Sequence, residues 1–220
     1  QSINVATIGP SPNLLSLPIF LVLFGYVAPQ PAPAQTPSAL RQGYERAAAY
    51  LRDQDLPAAE REFLKILRQD PKQATALHQL GLLYFQTGRV RQGIEQMEKA
   101  QALNPREASL SFDLALAYFR TREFQKSLKT LQLVKTPQAR TADYYALLGS
   151  NYLELNDAPK TLENLRQAVA MDPRNPDHAY DLGFALNKNG NHSEALSVLQ
   201  RTQRQFPRNG KIALGVGMSW

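Results

Sequence analysis

Three histidines, His78, His178 and His192, are the residues of this 220-residue chain best suited to proton transfer or metal ligation. No two of them share a helix at ligand spacing. No His-Glu-x-x-His pair, glycine-rich phosphate loop or nucleophile elbow occurs. There is no cysteine, which removes a thiol nucleophile, a zinc–thiolate site, a disulfide framework and a lipidated cysteine anchor. Carboxylates such as Glu95, Glu98 and Asp172 lie among lysines and arginines at helical spacing or in turns, as surface charges do. The residue types therefore assemble no catalytic set, no cofactor site and no metal site. The reading is of a chain that is not an enzyme.

What the chain does carry is a period. Steps of 34 residues connect Ala47, Gly81, Ala115, Gly149, Gly183 and Gly217, all small. Three residues further on, the same step connects Tyr50, Tyr84, Tyr118, Tyr152, Leu186 and Trp220, all large. Pro71, Pro105, Pro173 and Pro207 keep the beat, with Pro137 two residues early in the third unit. Units then start at Leu40, Ala74, Ala108, Ala142 and Pro176, with a partial sixth from Gly210. A fixed period of this length marks a repeat architecture.

Each unit holds two helical segments, at about positions 2–14 and 17–30. In the first, apolar residues recur at i, i+3, i+4 and i+7, as in Leu77, Leu80, Gly81 and Tyr84. In the second, the stripe falls at positions 20, 24 and 27, as in Thr161, Leu165 and Ala168. Turn residues such as Thr87-Gly88, Asn156-Asp157 and Asn189-Gly190-Asn191 separate the two. The second helix stops ahead of proline, because the residue before proline is steered out of the helical region. A glycine within a helix costs roughly 1 kcal/mol relative to alanine. Its recurrence at position 8, opposite a small residue at position 20, predicts that two helix backbones approach closely there.

This pattern resembles the tetratricopeptide repeat, on the strength of Leu80-Gly81 with Tyr84, Leu148-Gly149 with Tyr152, and Leu182-Gly183 before Leu186. The first unit departs from it, with Gly43 and Arg46 at positions 4 and 7, and the third has Ser111 and Ser127 at positions 4 and 20. The resemblance covers residues 40–220. It implies an all-α fold, an α-solenoid of antiparallel helix pairs with about five and a third 34-residue repeats. Such solenoids present an extended concave surface to protein or peptide partners. In the family, positions 2, 5, 9, 12 and 13 of the first helix line that groove. Carried over residue by residue, positions 5 and 9 make Tyr44, His78, Leu82, Phe112, Leu116, Tyr180 and Phe184 the expected partner-binding lining. Chaperone-binding members hold a terminal carboxylate with lysines and asparagines; Tyr44 and Ala48 stand at positions 5 and 9 of the first unit here, so that clamp is absent.

Residues 1–34 carry no charge, and Leu14 to Ala28 form an apolar run too short to span a bilayer. Its length and the small residues at Ala32 and Ala34 match a secretory signal peptide cleaved before Gln35, with a proline-rich linker over 35–39. No basic residue precedes the run and the sequence opens on Gln1, so a basic segment is expected upstream. The expected location is periplasmic or extracellular; the alternative is an uncleaved anchor over residues 14–28, the one route to a membrane. At the other end, Trp220 stands at position 11 of the sixth unit with no second helix to cover it, so the natural chain is expected to continue. The net charge is +6, and the third repeat holds the excess, with six basic residues against Asp113 and Glu123. A solvated helix face accounts for it better than a nucleic-acid surface. The leading function is a non-catalytic scaffold for a protein or peptide partner. The alternative is a targeting or regulatory segment of a longer enzyme with its catalytic domain beyond residue 220.

Overall fold

A computed structural model describes residues 38–219. The leader 1–34, most of the linker and Trp220 lie outside the described residues. The described residues form eleven α-helices, and no strand is found among them. They group into two compact units, 38–139 and 140–219. The first unit contains α1 (Ser38–Arg52), α2 (Leu56–Gln69), α3 (Ala74–Gln86), α4 (Val90–Leu103), α5 (Ala108–Arg120) and α6 (Phe124–Leu131), then a 3₁₀ turn at Pro137–Ala139. The second contains α7 (Ala142–Glu154), α8 (Ala158–Met171), α9 (Pro176–Lys188), α10 (His192–Gln205) and α11 (Gly210–Met218). Odd-numbered helices are the first helices of the repeats. Five of them begin at Ala74, Ala108, Ala142, Pro176 and Gly210, where the repeat count starts its units. None of the helices among the described residues is long and apolar enough to cross a membrane.

Within each repeat the two helices touch where the small residues lie. A Cβ on Gly81 would sit 2.6 Å from Met97 Cγ and 2.9 Å from the Gly93 carbonyl oxygen; one on Gly149 would sit 2.7 Å from Leu165 Cγ. At Gly81, Gly149 and Gly183 the missing Cβ leaves that space to the side chain at position 24. Met97, Leu131, Leu165 and Leu199, all at position 24, are fully buried. Burying such a side chain contributes about 1.5–3 kcal/mol, which exceeds the roughly 1 kcal/mol propensity cost of the glycine. Positions 20 and 27 flank it, and Thr161 and Ala168 are likewise fully buried.

The turn between the helices has one geometry throughout. Position 15 is left-handed in all five repeats: Gln54 (φ 59), Gly88 (φ 79), Arg122 (φ 65), Asn156 (φ 58) and Gly190 (φ 77). Glycine takes this conformation freely and asparagine nearly so, whereas Gln54 and Arg122 are held there against their Cβ sterics. Capping then starts several helices: Asp55 accepts from the Ala58 N–H, Asp157 from Lys160, and Asn209 from Lys211 and Ile212.

The third repeat departs from the expected helix lengths. Its second helix, α6, ends at Leu131, whereas the repeat count carries it to about residue 137. The N–H groups of Leu133 and Val134 bond the carbonyls of Thr130 and Leu131, an i→i−3 tightening. Early Pro137 also keeps the helix from reaching its full length, since the residue before proline is steered out of the helical region. The tight turn still delivers Val134 at position 27 to the core, 1% exposed. At the other boundary, α1 starts at Ser38, so the linker read over 35–39 gives up its last two residues to the helix.

Two outcomes test this account. Gly149→Leu should lose about 1–3 kcal/mol by overpacking the contact with Leu165, measured as a lower urea midpoint with unchanged slope. Exposed Gln54, by contrast, should gain from replacement by glycine, about 0.5–1 kcal/mol from relief of its left-handed backbone; a lowered melting temperature for Gln54→Gly would contradict the strain assigned to it.

Candidate partner-binding surface

In the unit 38–139 the first helices α1, α3 and α5 follow one another at the repeat interval. Their position 5 places Tyr44, His78 and Phe112 in succession, and position 9 adds Leu82 and Leu116. Tyr44, Phe112 and Leu116 are half-buried, while His78 and Leu82 are 8% and 9% exposed. Desolvation pushes the Tyr44 hydroxyl up to about 12, so the phenol stays neutral at any ordinary pH.

His78 is polar in this apolar row because α5 supplies it a partner. Its Nε2 lies 2.8 Å from Asp113 Oδ2, and both side chains are buried. A carboxylate oxygen accepts, so the ring Nε2–H donates to Asp113 Oδ2. Further along the same helices, the Arg120 guanidinium stands 5.4 Å over the Phe85 ring. Burial lowers the pKa of Arg120. The row thus combines aliphatic and aromatic surface with one hydrogen-bonded polar pair and one partly desolvated cation.

In the unit 140–219, Tyr180 and Phe184 take positions 5 and 9 of α9. Tyr180 is 5% exposed and packs on Leu199 and Ile212, with Phe184 and Val216 beside them. Burial raises the Tyr180 pKa. Two of the exposed apolar side chains here belong to α11: Leu214 is 60% exposed and Met218 42%. They are positions 5 and 9 of the sixth unit, a 34-residue step from Tyr180 and Phe184.

Of the lining expected at positions 5 and 9, His78, Leu82 and Tyr180 are buried. His78 is covered through its bond to the next first helix, and Tyr180 by the side chains of α10 and α11. Stacking of consecutive repeats, which the pattern within one repeat does not reveal, closes over them. Asp113 and Arg120 join the surface without having been expected there. Asp113 stands 35 residues from His78, one step beyond the repeat interval, so the period itself hides the pair. Leu214 and Met218 were legible from the phase alone.

The comparisons with known proteins agree with this architecture. Tetratricopeptide repeat profiles match residues 78–142 and 152–214. Among solved structures, MamA residues 41 to the end from Desulfovibrio magneticus RS-1 is similar at 19% identity, with a TM-score of 0.73, covering 79% of this chain and 98% of that one. YrrB, described as a tetratricopeptide repeat protein with an unusual peptide-binding site, is 18% identical, with a TM-score of 0.60, covering 71% of this chain and 81% of that one. PilW, described as a widely conserved type IV pilus biogenesis factor, is 17% identical, with a TM-score of 0.72, covering 83% of this chain and 88% of that one. No curated protein matches by sequence. The chain belongs to the tetratricopeptide repeat family, and its fold is that of a protein-interaction scaffold.

The polar pair yields a test of how the row is built. Asp113→Ala should cost about 1–3 kcal/mol, because it leaves the buried His78 Nε2–H without an acceptor. Replacing both partners, His78→Phe with Asp113→Leu, should cost less than that single substitution. Equal losses in chemical denaturation would show that the bond is incidental to the packing.

Proposed function

We propose that the chain is a non-catalytic scaffold that holds an extended or helical apolar segment of a partner protein against its first helices. The contact residues proposed in the unit 38–139 are Tyr44, Phe112 and Leu116; in the unit 140–219, taken by itself, they are Phe184, Leu214 and Met218. The observation that carries this reading is the half-buried side chains among these positions, Tyr44, Phe112 and Leu116. Phe112 and Leu116 keep part of their apolar surface in water although the repeat core does not need it there. Apolar surface left at regular intervals on a rigid stack is what a recognition surface offers, with a few aromatic anchors supplying most of the affinity. That YrrB is described as having a peptide-binding site supports the same kind of ligand on the same fold.

Its location belongs to the proposal as well: the uncharged apolar leader supports action outside the cytoplasm, and mass spectrometry of the mature N-terminus reads that directly. For the surface, the experiment is selection of peptides from a random display library on the full chain, followed by titration of a selected peptide. Phe112→Ala with Leu116→Ala should weaken it about a hundredfold, since each truncation removes roughly 1–2 kcal/mol of contact, while circular dichroism stays helical. Unchanged affinity in the folded double variant would place the binding site elsewhere. Tyr180 is unsuited to this test, because its burial ties it to the fold.

A further inference from the structure

Phe112 and Leu116 stand one helical turn apart on α5, so they share a face of it, and both are half-buried. The first helices of this unit are joined in order. Tyr44 of α1 packs against the cluster that contains Ala76 and Leu80 of α3, and α3 is held to α5 by the bond from His78 to Asp113. Asp113, the acid beside Phe112, is thus already bonded within the fold. A charged group laid against Phe112 and Leu116 would lose water without gaining a partner there, so these side chains favour an uncharged occupant.

The same chain supplies one. No charged side chain precedes Arg41, and Leu14 to Ala28 is a fifteen-residue apolar run with Phe20, Phe24 and Tyr26. The run lies outside the described residues, and nine residues, 29–37, separate it from the start of α1 at Ser38. Nine residues reach about 30 Å at most. Packed helices lie about 8–10 Å apart, so α5, the second first helix after α1, is about 20 Å away. The tether is therefore long enough to lay the run over Tyr44, Phe112 and Leu116. It is also short enough to hold the run there at an effective concentration on the order of 1 mM. An apolar segment of a separate partner at about 1 μM competes at a disadvantage of roughly a thousandfold.

We propose that, while the leader is attached, the run Leu14 to Ala28 occupies the first-helix row at Tyr44, Phe112 and Leu116, and that its removal frees the row for a partner. This rests on the reading of the row as a recognition surface for an apolar segment, and adds how that surface is regulated. An uncharged run and an apolar row in one chain each favour association with other molecules; burying one against the other removes both liabilities. A cut before Gln35 takes away the run and leaves every helical residue from Ser38 onward. A second copy of the chain offers the same row without the tether, and fifteen residues fall short of the roughly 20 that span a bilayer.

The test uses the full chain, whose lack of cysteine lets one reactive group be placed at a chosen site. Ala48 is exposed and one turn from Tyr44. With a benzophenone on Ala48→Cys, illumination should crosslink this position to residues 14–28 of the same chain. A second form carries a specific protease site inserted after Ala34 and is cut after folding. A fluorescent synthetic peptide of residues 14–28 with a lysine tail should bind the cut chain at least about tenfold more tightly than the uncut chain. Phe112→Ala with Leu116→Ala should weaken that binding about tenfold or more, and Leu21→Asp with Leu23→Asp should give the uncut chain the affinity of the cut one. Circular dichroism should match wild type throughout. The proposal is overturned if crosslinks fall outside residues 14–28 or join two chains, if phosphatidylcholine vesicles abolish them, or if cutting leaves the affinity unchanged. Peptides selected from the display library separate this result from the surface reading. If they bind the cut chain through Phe112 and Leu116 and the 14–28 peptide does not, the surface stands and the leader is not its occupant; if neither binds there, both readings fall.

Discussion

Close approach between the two helices of a repeat is the constraint on which the rest depends. At position 8 the side chain must be hydrogen or methyl, because the carbonyl of Gly93, or the side chain of Met97, Leu165 or Leu199, occupies the space a larger group would need. With that contact made, the large residue at position 24 is sealed from water, and the stripe at positions 20 and 27 follows it into the core. The contact is local in sequence, so each repeat specifies its own pair. What a single pair leaves uncovered must be buried by its neighbour, which is why the units of such a stack stand together.

The connection between the paired helices is equally uniform in geometry, though not in residue type. A left-handed residue at position 15 turns the chain in every repeat, whether it is glycine, asparagine, glutamine or arginine. Helix pairing dictates the backbone here and the side chain adapts, at a steric cost where Cβ is present. The third repeat shows the opposite relation. There Pro137 arrives early, α6 is shortened, and a tightened turn keeps Val134 buried in spite of the lost helix. Conserving the buried position matters more to the stack than conserving the helix around it.

Polar groups on the first helices gain their meaning only from stacking. His78 is an ordinary titratable residue in the sequence; in the fold it is the donor of a buried bond to Asp113. Arg120 reads as one member of a basic repeat, yet it lies over Phe85 with its charge partly desolvated.

The amino-acid order alone determined the all-α repeat, its period and the start of each unit from Ala74 to Gly210, because small residues at position 8, large ones at 24 and prolines near 32 act within one repeat and are visible in any 34-residue window. It also carried the candidate row at positions 5 and 9, and by phase it held Leu214 and Met218. Tertiary structure decided how open that row is. His78 is covered through Asp113 of the following repeat and Tyr180 by Leu199 of its own repeat with Ile212 of the next, while Phe112, Leu116, Leu214 and Met218 retain contact with water. Exposure depends on what the next repeat places overhead, at distances the chain spans only after stacking, and no periodicity within a helix records it.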